Sequence, residues 1–394
     1  MVWPMGYLIP ARTGDIIKGS ELLIEPRELW GGCPKEEKLI SSRAGELKKA
    51  IHKYPRTSLI HLPTPFRKLE SLTAELAGPD IYIKRDDLTG LAFGGNKSRK
   101  LEFIIPDVLA KKADVIITWA SLQSNWCMQT AAAAVRFGIK PILILFKTYD
   151  LPAEYDGNLL LDYILGADIR IREAERGKIV KQGDALAVAE EIANESVEWG
   201  HSPYVVPVGG SMPLGNMELP LGAISYVNAF LEMHEQADAM GVDVDYVIHA
   251  TGSGATQAGL AVGAKTLAEG TKVLGISVSD EKVTFGRDVL TIAQATEKAM
   301  GLKTHIQSGD VIVFDEYIKD GYGIVNKEVA DIIRLVFTRE GIVLDPVYTA
   351  KAMAALVDLI KKGYFKKTDK VVFFHTGGTP ALFPNKHKLV EFLK

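Results

Sequence analysis

Residues 246–267 read YVIHATGSGATQAGLAVGAKTL, a short apolar run followed by a turn rich in Gly, Ser and Thr and then by an Ala- and Gly-rich helical segment. From Leu59 onward, seven further apolar runs of strand length alternate with helical patterns. These runs are Ile81–Lys84, Val115–Thr118, Ile142–Leu145, Ile169–Ile171, Tyr204–Pro207, Val273–Ser277 and Val371–Phe374. Because continuous apolar strands separated by helices need cover on both faces, the pattern predicts an α/β fold with mostly parallel, open twisted sheets.

The composition is that of a folded protein with little net charge. The 394 residues are 47% hydrophobic and 24% charged, and the formal net charge is -3. These values exclude a disordered, collagen-like or disulfide-scaffold protein and give no reason to expect a nucleic-acid partner. Cys33 and Cys127 lie far apart, the histidines have no metal-ligand spacing, and no apolar run is long enough to span a bilayer. These features predict neither a metal site nor a membrane partner. Because no signal-peptide pattern is recognised either, we expect a cytoplasmic protein.

Four turns rich in Gly, Ser and Thr follow predicted strands directly. They are residues 121–125, 208–211, 251–256 and 375–379. In open α/β sheets, ligands bind beyond the carboxyl ends of the strands. The four turns therefore predict one composite site rather than four unrelated loops.

The turn Thr251–Thr256 has the properties of a phosphate-binding cup. Its glycines allow several backbone N–H groups to point at one anion, its hydroxyls add donors, and the following helix N-terminus contributes positive potential. It is not a Walker A loop, because no Gly-Lys-Ser/Thr follows, and it lacks the full G-x-G-x-x-G spacing. Taken alone, the turn fits a purely structural role equally well.

Lys97 stands at the start of a predicted helix, directly after Gly94-Gly-Asn96. The positive end of a helix dipole depresses the pKa of an amine there, which favours a nucleophilic lysine able to form a Schiff base. The alternative is that Lys97, Arg99 and Lys100 simply form a solvated basic helix start.

The turn Asp345–Thr349 lies between two predicted helices and directs Tyr348 and Thr349 toward one place. A phenol can act as an acid or a base when its surroundings shift its pKa. By itself the turn is more typical of a proline turn with a helix-capping threonine, and Tyr322 of a packed aromatic residue. Cys127 is expected to be a small buried residue, because no histidine is placed by sequence to activate it.

Together these motifs resemble those of the fold-type II pyridoxal phosphate enzymes, and within them the group of D-cysteine desulfhydrase and 1-aminocyclopropane-1-carboxylate deaminase. The resemblance extends from about Leu62 to Phe383. Its markers, in chain order, are Ile83–Gly90, Gly94–Glu102, Gln123–Asn125, Gly157–Asp162, Pro207–Ser211, Gly252–Gly259, Asp345–Thr349 and His375–Gly378. Many motifs in one order are far more specific than any one of them, so together they outweigh the structural alternatives. The resemblance implies a tryptophan synthase beta-like architecture and pyridoxal 5'-phosphate as cofactor.

The resemblance also implies roles for individual residues. Lys97 would carry the cofactor covalently, Ser124 would contact the substrate carboxylate or assist proton transfer, and Tyr322 and Tyr348 would be the two active-site tyrosines. The other cofactor contacts implied are Asn125 at the 3-hydroxyl, Thr251, Gly252, Ser253, Gly254, Ala255 and Thr256 at the phosphate, Thr349 at the pyridine nitrogen, and Thr376. The substrate contacts implied are Gln123, Ser124, Trp126, Tyr322 and Tyr348.

Two threonines indicate the subgroup. The deaminases resemble this chain closely, but they carry Glu at the position of Thr349 and Leu at that of Thr376. A carboxylate keeps the pyridine nitrogen protonated, whereas a neutral hydroxyl leaves the cofactor a weaker electron sink. The resemblance therefore implies a lyase that catalyses α,β-elimination of a small, D-cysteine-like 3-substituted alanine to pyruvate, ammonia and sulfide.

The segment Trp126-Cys-Met128 departs from the His and Arg usual in desulfhydrases, which should change the side chain or leaving group that is tolerated. An L-cysteate sulfo-lyase that releases sulfite and an L-cysteine desulfhydrase are therefore alternatives. A 1-aminocyclopropane-1-carboxylate deaminase is another, and a catalytically silent protein that binds the cofactor or an amino acid is the alternative outside enzymes.

The resemblance implies two domains with the cofactor in the cleft between them. We expect a large cofactor-binding domain from residues 58–98 and 215–394, and a small domain from residues 99–214. Residues 1–57 are expected to form an irregular N-terminal extension, and the chain to form a homodimer.

Overall fold

The computed structural model of the protein describes residues 43–148 and 155–394. Most of the expected N-terminal extension lies outside these residues, and so does Cys33. Within the extension, Arg43–Ile51 form a helix rather than irregular structure. They do so because Leu47 and Ile51 bury an apolar face against the helix Leu221–Ala239.

In the described part of the chain, ten strands form two sheets. The strands are β1 (Phe66–Lys68), β2 (Asp80–Arg85), β3 (Val115–Ser121), β4 (Lys140–Lys147), β5 (Asp168–Glu173), β6 (Pro203–Val205), β7 (Tyr246–Thr251), β8 (Lys272–Ser277), β9 (Ile312–Phe314) and β10 (Lys370–His375). The larger sheet has the order β1-β2-β10-β7-β8-β9, and the smaller has the order β5-β4-β3-β6.

The helices that cover these sheets are α1 (Arg43–Ile51), α2 (Glu70–Leu76), α3 (Asn96–Ala110), α4 (Asn125–Val135), α5 (Gly157–Ile164), α6 (Gln182–Glu198), α7 (Leu221–Ala239), α8 (Ala255–Leu267), α9 (Lys282–Met300), α10 (Lys327–Glu340), α11 (Thr349–Lys361) and α12 (Lys386–Leu393). No helix in the described ranges combines the length and apolar character that crossing a membrane requires.

Both faces of the larger sheet are buried, as its apolar strands predict. Along β10, Val372 and Phe374 belong to a core cluster with residues of α7 and α8. The alternate residues Val371 and Phe373 pack into a second cluster with residues of α10 and α11. Successive side chains of a strand point to opposite faces of the sheet. A strand between two helical layers therefore buries every side chain, which explains the continuous apolar runs in the sequence.

The α/β fold with mostly parallel sheets predicted from the sequence is confirmed. β1 pairs antiparallel with β2, and all other neighbouring strands are parallel. All eight predicted strands are present, and two short edge strands, β1 and β9, were not predicted. The carboxyl ends of β3, β7 and β10 open toward one cleft between the sheets.

Candidate active site

A cavity lies between the two sheets at the carboxyl ends of their strands. Its empty volume is about 1090 Å³, which includes the space at its mouth. All four turns that the sequence singled out, residues 121–125, 208–211, 251–256 and 375–379, contribute to its lining. They meet because parallel strands direct their carboxyl ends to the same edge of a sheet. The single composite site predicted from the turns is therefore present.

Lys97 lies in the wall of this cavity as the second residue of α3. Gly95 brings the helix start close to the end of β10: its φ is +126°, and a Cβ there would lie 2.9 Å from the carbonyl oxygen of Thr376. Thr89 fixes the same turn, since its hydroxyl accepts from Gly95 N at 2.8 Å. Burial lowers the pKa of Lys97 to about 8. The amine therefore loses its proton readily, as a nucleophilic lysine must, and burial is the cause of the shift.

The turn Thr251–Thr256 forms one end of the cavity and leads into α8. Ala255 is fully buried behind the lining, and the other five residues of the turn line the cavity. The hydroxyl of Thr251 is buried without a hydrogen-bond partner. A turn with an unused buried hydroxyl at the N-terminus of a 13-residue helix is suited to hold a phosphate group.

Lys100 is a second lysine at this end of the cavity, and no sequence motif indicated a catalytic or binding role for it. It lies one turn after Lys97 in α3, is fully buried, and its Nζ has no hydrogen-bond partner. A Cβ on Gly209 would lie 2.3 Å from Ser253 Oγ and 3.4 Å from Lys100 Nζ, so the lysine and the 251–256 turn approach the same point.

This arrangement fits a phosphorylated cofactor. Burial, together with the charge of Lys97, holds the pKa of Lys100 well below its usual range. An unpaired buried cation is costly, and a phosphate beside it would supply the missing charge and acceptors. The signal available in the sequence was the i, i+3 spacing of Lys97 and Lys100, which places both on one face of a helix.

Ser124 caps the N-terminus of α4. Its Oγ accepts from the N–H groups of Trp126 and Cys127, both at 3.1 Å. The hydroxyl proton is left to donate into the cavity, which suits contact with a carboxylate better than acceptance of a proton. Asn125 also lines the cavity, and its Oδ1 accepts from Asn158 Nδ2 at 2.9 Å. Its amide nitrogen is therefore the end suited to a ligand oxygen.

Gln123 lies outside the cavity lining. Its side chain donates to the carbonyl of Asp156 at 2.9 Å and accepts from Asn158 N at 2.8 Å. These bonds tie the start of α5 to the turn before α4 and so orient Asn158, the partner of Asn125. The substrate contact of Gln123 stays a prediction.

Two tyrosine hydroxyls meet in the cavity. Tyr322 OH lies 2.5 Å from Tyr348 OH and 3.0 Å from Ser121 Oγ. Tyr348 precedes α11 and Ser121 ends β3, so the three hydroxyls link the two sheets. Burial raises the pKa of Tyr322 in spite of these hydrogen bonds, which keeps it a phenol at neutral pH. Ser121 was noted in the sequence only as part of its turn.

Lys351 holds the turn that presents Tyr322. Its Nζ donates to the carbonyl oxygens of Ile318 at 2.9 Å and Gly321 at 2.8 Å, and only 2% of the residue is exposed. Tyr348 is the N-cap residue of α11, and Lys351 lies one turn later in that helix. One helix therefore carries one tyrosine and fixes the position of the other, a role that no sequence motif indicated.

Thr349 is fully buried and lies outside the cavity lining. Its hydroxyl donates to Asp345 Oδ1 at 2.7 Å and accepts from Asp345 N at 2.8 Å. Its contact with a pyridine nitrogen stays a prediction, and Thr376 does line the cavity. Trp126 lines it too, but its indole N–H donates to Thr118 Oγ1 at 2.7 Å, so it offers a ligand only apolar ring surface.

The cavity lining contains few charged side chains. Among the described residues that line it, Lys97 is the only lysine, and there is no Arg, His, Asp or Glu. Cys127 is buried behind the lining, and burial raises the pKa of its thiol, in agreement with a packing residue. A ligand in this cavity therefore meets hydroxyls, amides and apolar surface, with one titratable amine.

Comparisons with known proteins agree with this geometry. A family model described as pyridoxal-phosphate dependent enzyme matches residues 57–377. A "Putative 1-aminocyclopropane-1-carboxylate deaminase" of Pyrococcus furiosus is 40% identical over 348 residues, which are 88% of this chain and 99% of that protein. A protein of the same name in Pyrococcus horikoshii is 41% identical over 87% of this chain and 98% of its own length.

Solved structures show the same architecture. The crystal structure described as an ACC deaminase homologue is 38% identical and covers 88% of this chain and 99% of its own, with a TM-score of 0.78. A threonine deaminase from T.th. is 20% identical with a TM-score of 0.56, and it covers 85% of this chain and 97% of its own. The second likeness concerns the fold alone.

Proposed function

The chain belongs to the pyridoxal-phosphate dependent enzymes, in the group of 1-aminocyclopropane-1-carboxylate deaminase and D-cysteine desulfhydrase, and from that premise we propose that it eliminates the β-substituent of a small, D-cysteine-like 3-substituted alanine. In the net reaction the Cα–H, Cβ–S and Cα–N bonds break, Cβ takes up a proton, and the oxygen of water becomes the keto oxygen. One water is taken up, and pyruvate, ammonium and hydrogen sulfide are released.

Pyridoxal 5'-phosphate is the cofactor of this family. Lys97 is placed to bind it covalently, Asn125 to donate to its ring hydroxyl, and the 251–256 turn with Lys100 to hold its phosphate. When bound, the cofactor withdraws electrons from the substrate's Cα and so weakens the bonds at that atom.

The remaining steps fall to side chains of the cavity. The amine of Lys97, whose pKa is about 8, is suited to take the Cα proton once it is free. Ser124 donates its hydroxyl proton to the substrate carboxylate, which fixes the Cα–H bond toward Lys97. The hydrogen-bonded pair of Tyr322 and Tyr348 is suited to give a proton to the departing sulfur.

The observation that carries this proposal is that no carboxylate lines the cavity among the described residues. Without a carboxylate the pyridine nitrogen is not held protonated, and the electron sink is weaker. A weaker sink suffices to expel a good leaving group such as a thiol, and it suits the opening of a carbon ring less well. L-cysteate is disfavoured for a different reason, because its sulfonate would add an anion where Lys97 is the one basic lining residue described.

The test is keto-acid release by the cofactor-loaded protein, with D-cysteine, L-cysteine, L-cysteate and 1-aminocyclopropane-1-carboxylate compared side by side. We expect pyruvate from D-cysteine. Pyruvate from L-cysteate or L-cysteine alone would identify that compound as the substrate instead of D-cysteine. If none of the compounds yields a keto acid, the proposal is contradicted.

A second candidate is 1-aminocyclopropane-1-carboxylate deamination, because that activity is in the names of the relatives of 38 to 41% identity. Its product would be 2-oxobutyrate rather than pyruvate. The same assay therefore separates the two candidates by the identity of the keto acid.

Replacement of Lys97 tests the role of the covalent lysine. We expect Lys97→Ala to abolish both the absorbance of the covalently bound cofactor and turnover, because no other lysine of the described chain lines the cavity. The control is Lys367→Ala, which removes an exposed lysine far along the chain and should leave the spectrum unchanged. An unchanged spectrum in Lys97→Ala would exclude Lys97 as the attachment point.

A further inference from the structure

Five residues of the cavity lining, Trp119, Phe146, Thr148, Ile179 and Val180, form the part of its wall that we call the side pocket. Its wall follows from the register of the small sheet. Ser121 and Trp119 lie two residues apart on β3 and so share one face, and Phe146 of β4 is the direct partner of Ser121. Because Ser121 Oγ is hydrogen-bonded to Tyr322 OH, this wall begins at the catalytic hydroxyls.

The roof of the side pocket is the segment between β5 and α6. Gly177 N donates to the carbonyl of Thr148 at 2.6 Å, and the carbonyl of Gly177 accepts from Tyr322 N at 3.1 Å. A Cβ on Gly321 would lie 3.2 Å from that carbonyl oxygen. Glycine at position 321 therefore allows the two backbones to approach closely. The roof is thereby attached to both the small sheet and the tyrosine turn, and it holds Ile179 and Val180 over the pocket.

The five side chains of the side pocket are apolar apart from that of Thr148, and Gln182, at the start of α6, lines the cavity nearby in sequence. Trp119 and Phe146 are buried in an apolar cluster that Val180 joins. Thr148 Oγ1 is buried without a hydrogen-bond partner. None of the five described residues of the pocket is ionisable. Such a pocket favours binding of an uncharged hydrocarbon group. It disfavours an anion or a polar group, because either would lose its hydrating water there.

We propose that this side pocket binds an apolar group carried on the β-sulfur of the substrate, so that the preferred substrates are cysteines with an uncharged S-alkyl or S-aryl substituent. The inference rests on the proposed elimination and specifies its leaving group. The balanced reaction is R–S–CH₂–CH(NH₃⁺)–COO⁻ plus water giving R–SH, pyruvate and ammonium. The Cβ–S bond breaks, and the sulfur leaves with the electron pair and takes up a proton.

The proposal is tested with S-methyl-, S-butyl- and S-benzylcysteine of each hand, with cysteine and cysteate for comparison. S-methyl and S-butyl thiols are similar leaving groups, so a difference between them reports binding of the alkyl chain. We expect kcat/KM for pyruvate release to rise by about ten- to fifty-fold from S-methyl- to S-butylcysteine, because three further methylene groups are buried. A lower kcat/KM for S-butylcysteine than for cysteine and S-methylcysteine would overturn the proposal.

A variant pair links this preference to the pocket. Ile179→Asp places a charge in the roof and should reduce the preference for S-butyl over S-methyl by about ten-fold. The matched control is Ile171→Asp on β5, outside the cavity lining; Ile171 is 45% exposed and Ile179 41%. Ile171→Asp should keep the wild-type preference. An equal preference in wild type and Ile179→Asp would place the alkyl group elsewhere.

Binding of unreactive amino acids separates the two proposals. If no compound yields a keto acid, the proposed elimination fails, and the pocket is then judged with norleucine and alanine. Because Trp119 and Trp126 line the cavity, binding can be followed by tryptophan fluorescence. Tighter binding of norleucine than of alanine, lost in Ile179→Asp, supports the pocket, whereas equal binding overturns it.

Discussion

Lys100 is fully buried, and its amine has no hydrogen-bond partner, which destabilises the empty protein and favours an anion beside it. Lys100→Met removes the charge and keeps most of the side-chain volume. We expect the variant without cofactor to be at least as stable as wild type. Its affinity for pyridoxal 5'-phosphate should fall by about ten- to one-hundred-fold, as expected for loss of a charged hydrogen bond.

The two measurements for Lys100→Met are thermal unfolding of the cofactor-free protein and absorbance titration with the cofactor. Lys367→Met, at an exposed position, serves as the control. An unchanged affinity in Lys100→Met would mean that the 251–256 turn holds the phosphate without this lysine.

We expect Lys351 to affect the proposed reaction through the position of Tyr322. In Lys351→Met, the carbonyls of Ile318 and Gly321 lose their donor, and the turn that carries Tyr322 is no longer held. We expect kcat to fall by about ten-fold with a smaller change in KM, since one misplaced proton donor is worth on the order of one to two kcal/mol. Lys351→Arg should restore part of kcat. An equal loss in both variants would indicate a packing defect instead.

The burial of Lys351 can also be tested through the pH dependence of the free energy of unfolding. Burial lowers its pKa from 10.5 to about 8, so between these values the unfolded chain binds more protons than the folded chain. The free energy of unfolding of wild type relative to Lys351→Met should therefore rise with pH in this window, by up to roughly 3 kcal/mol. Urea denaturation of the cofactor-free proteins at pH 7.5, 9 and 10 measures the difference.

At the level of residues, the sequence indicated the groups that belong to motifs. Lys97, Ser124 and the two tyrosines were found because each stands in a turn of recognisable composition, and all four line the cavity. Lys100 and Lys351 were missed because their importance lies in burial and in unpaired or backbone-bonded amines, which composition does not encode. Thr349 is a motif position whose hydroxyl is hydrogen-bonded to Asp345, and its contact with the cofactor stays a prediction.

At the level of elements, the strands of the smaller sheet and the inner strands of the larger sheet could be predicted, whereas the two edge strands of the larger sheet could not. Seven of the eight predicted strands contain a continuous apolar run, and β5 alternates Ile with Arg. β1 reads Phe-Arg-Lys and β9 reads Ile-Val-Phe, and each has three residues and lies at a sheet edge. Such short edge segments are defined by the neighbour they pair with, which is distant in sequence. α1 was missed for a similar reason, since its apolar face packs against α7 and α8, which are distant in sequence.

A buried ion network joins α3, the helix that carries Lys97, to α7 and β2. Glu232 of α7 accepts from Arg99 of α3 at 2.9 Å and from Lys84 of β2 at 2.5 Å. Burial opposes ionisation of this carboxyl, but the hydrogen bonds and charges of Arg99 and Lys84 hold its pKa at about 2. Glu232 therefore stabilises the fold above pH 4.5, and this contribution is lost as pH falls toward 2.

We expect the free energy of unfolding of wild type to fall by roughly 3 kcal/mol through Glu232 between pH 4.5 and 2, and Glu232→Gln to lose this part of the acid sensitivity. The control is Glu235→Gln on the same helix, whose partner Lys48 is 41% exposed and whose ion pair contributes little. Denaturant unfolding from pH 6 to pH 2 compares the variants. Parallel pH profiles for wild type and Glu232→Gln would contradict the assignment.

At the scale of the whole molecule, the site is divided between two sheets. The sequence could predict this because all four turns follow parallel strands, and such ends converge. It could not predict the side pocket, since Trp119, Phe146 and Val180 are indistinguishable in sequence from core residues of the small sheet. Their exposure to the cavity depends on the roof segment and on its bonds to Thr148 and Tyr322.

A ligand that contacts residues of both sheets should reduce the local motion of the backbone in both. The cofactor's phosphate is assigned to the 251–256 turn after β7, and its ring hydroxyl to Asn125 at the start of α4. Because the cofactor binds the folded chain, loading should raise the unfolding temperature, and amide hydrogen exchange should slow at both places. The roof around Gly177 should be protected further when an S-alkyl amino acid is added. Protection confined to residues 251–256 would mean that the small sheet contributes no contact to the cofactor, and the role of Asn125 would then be withdrawn.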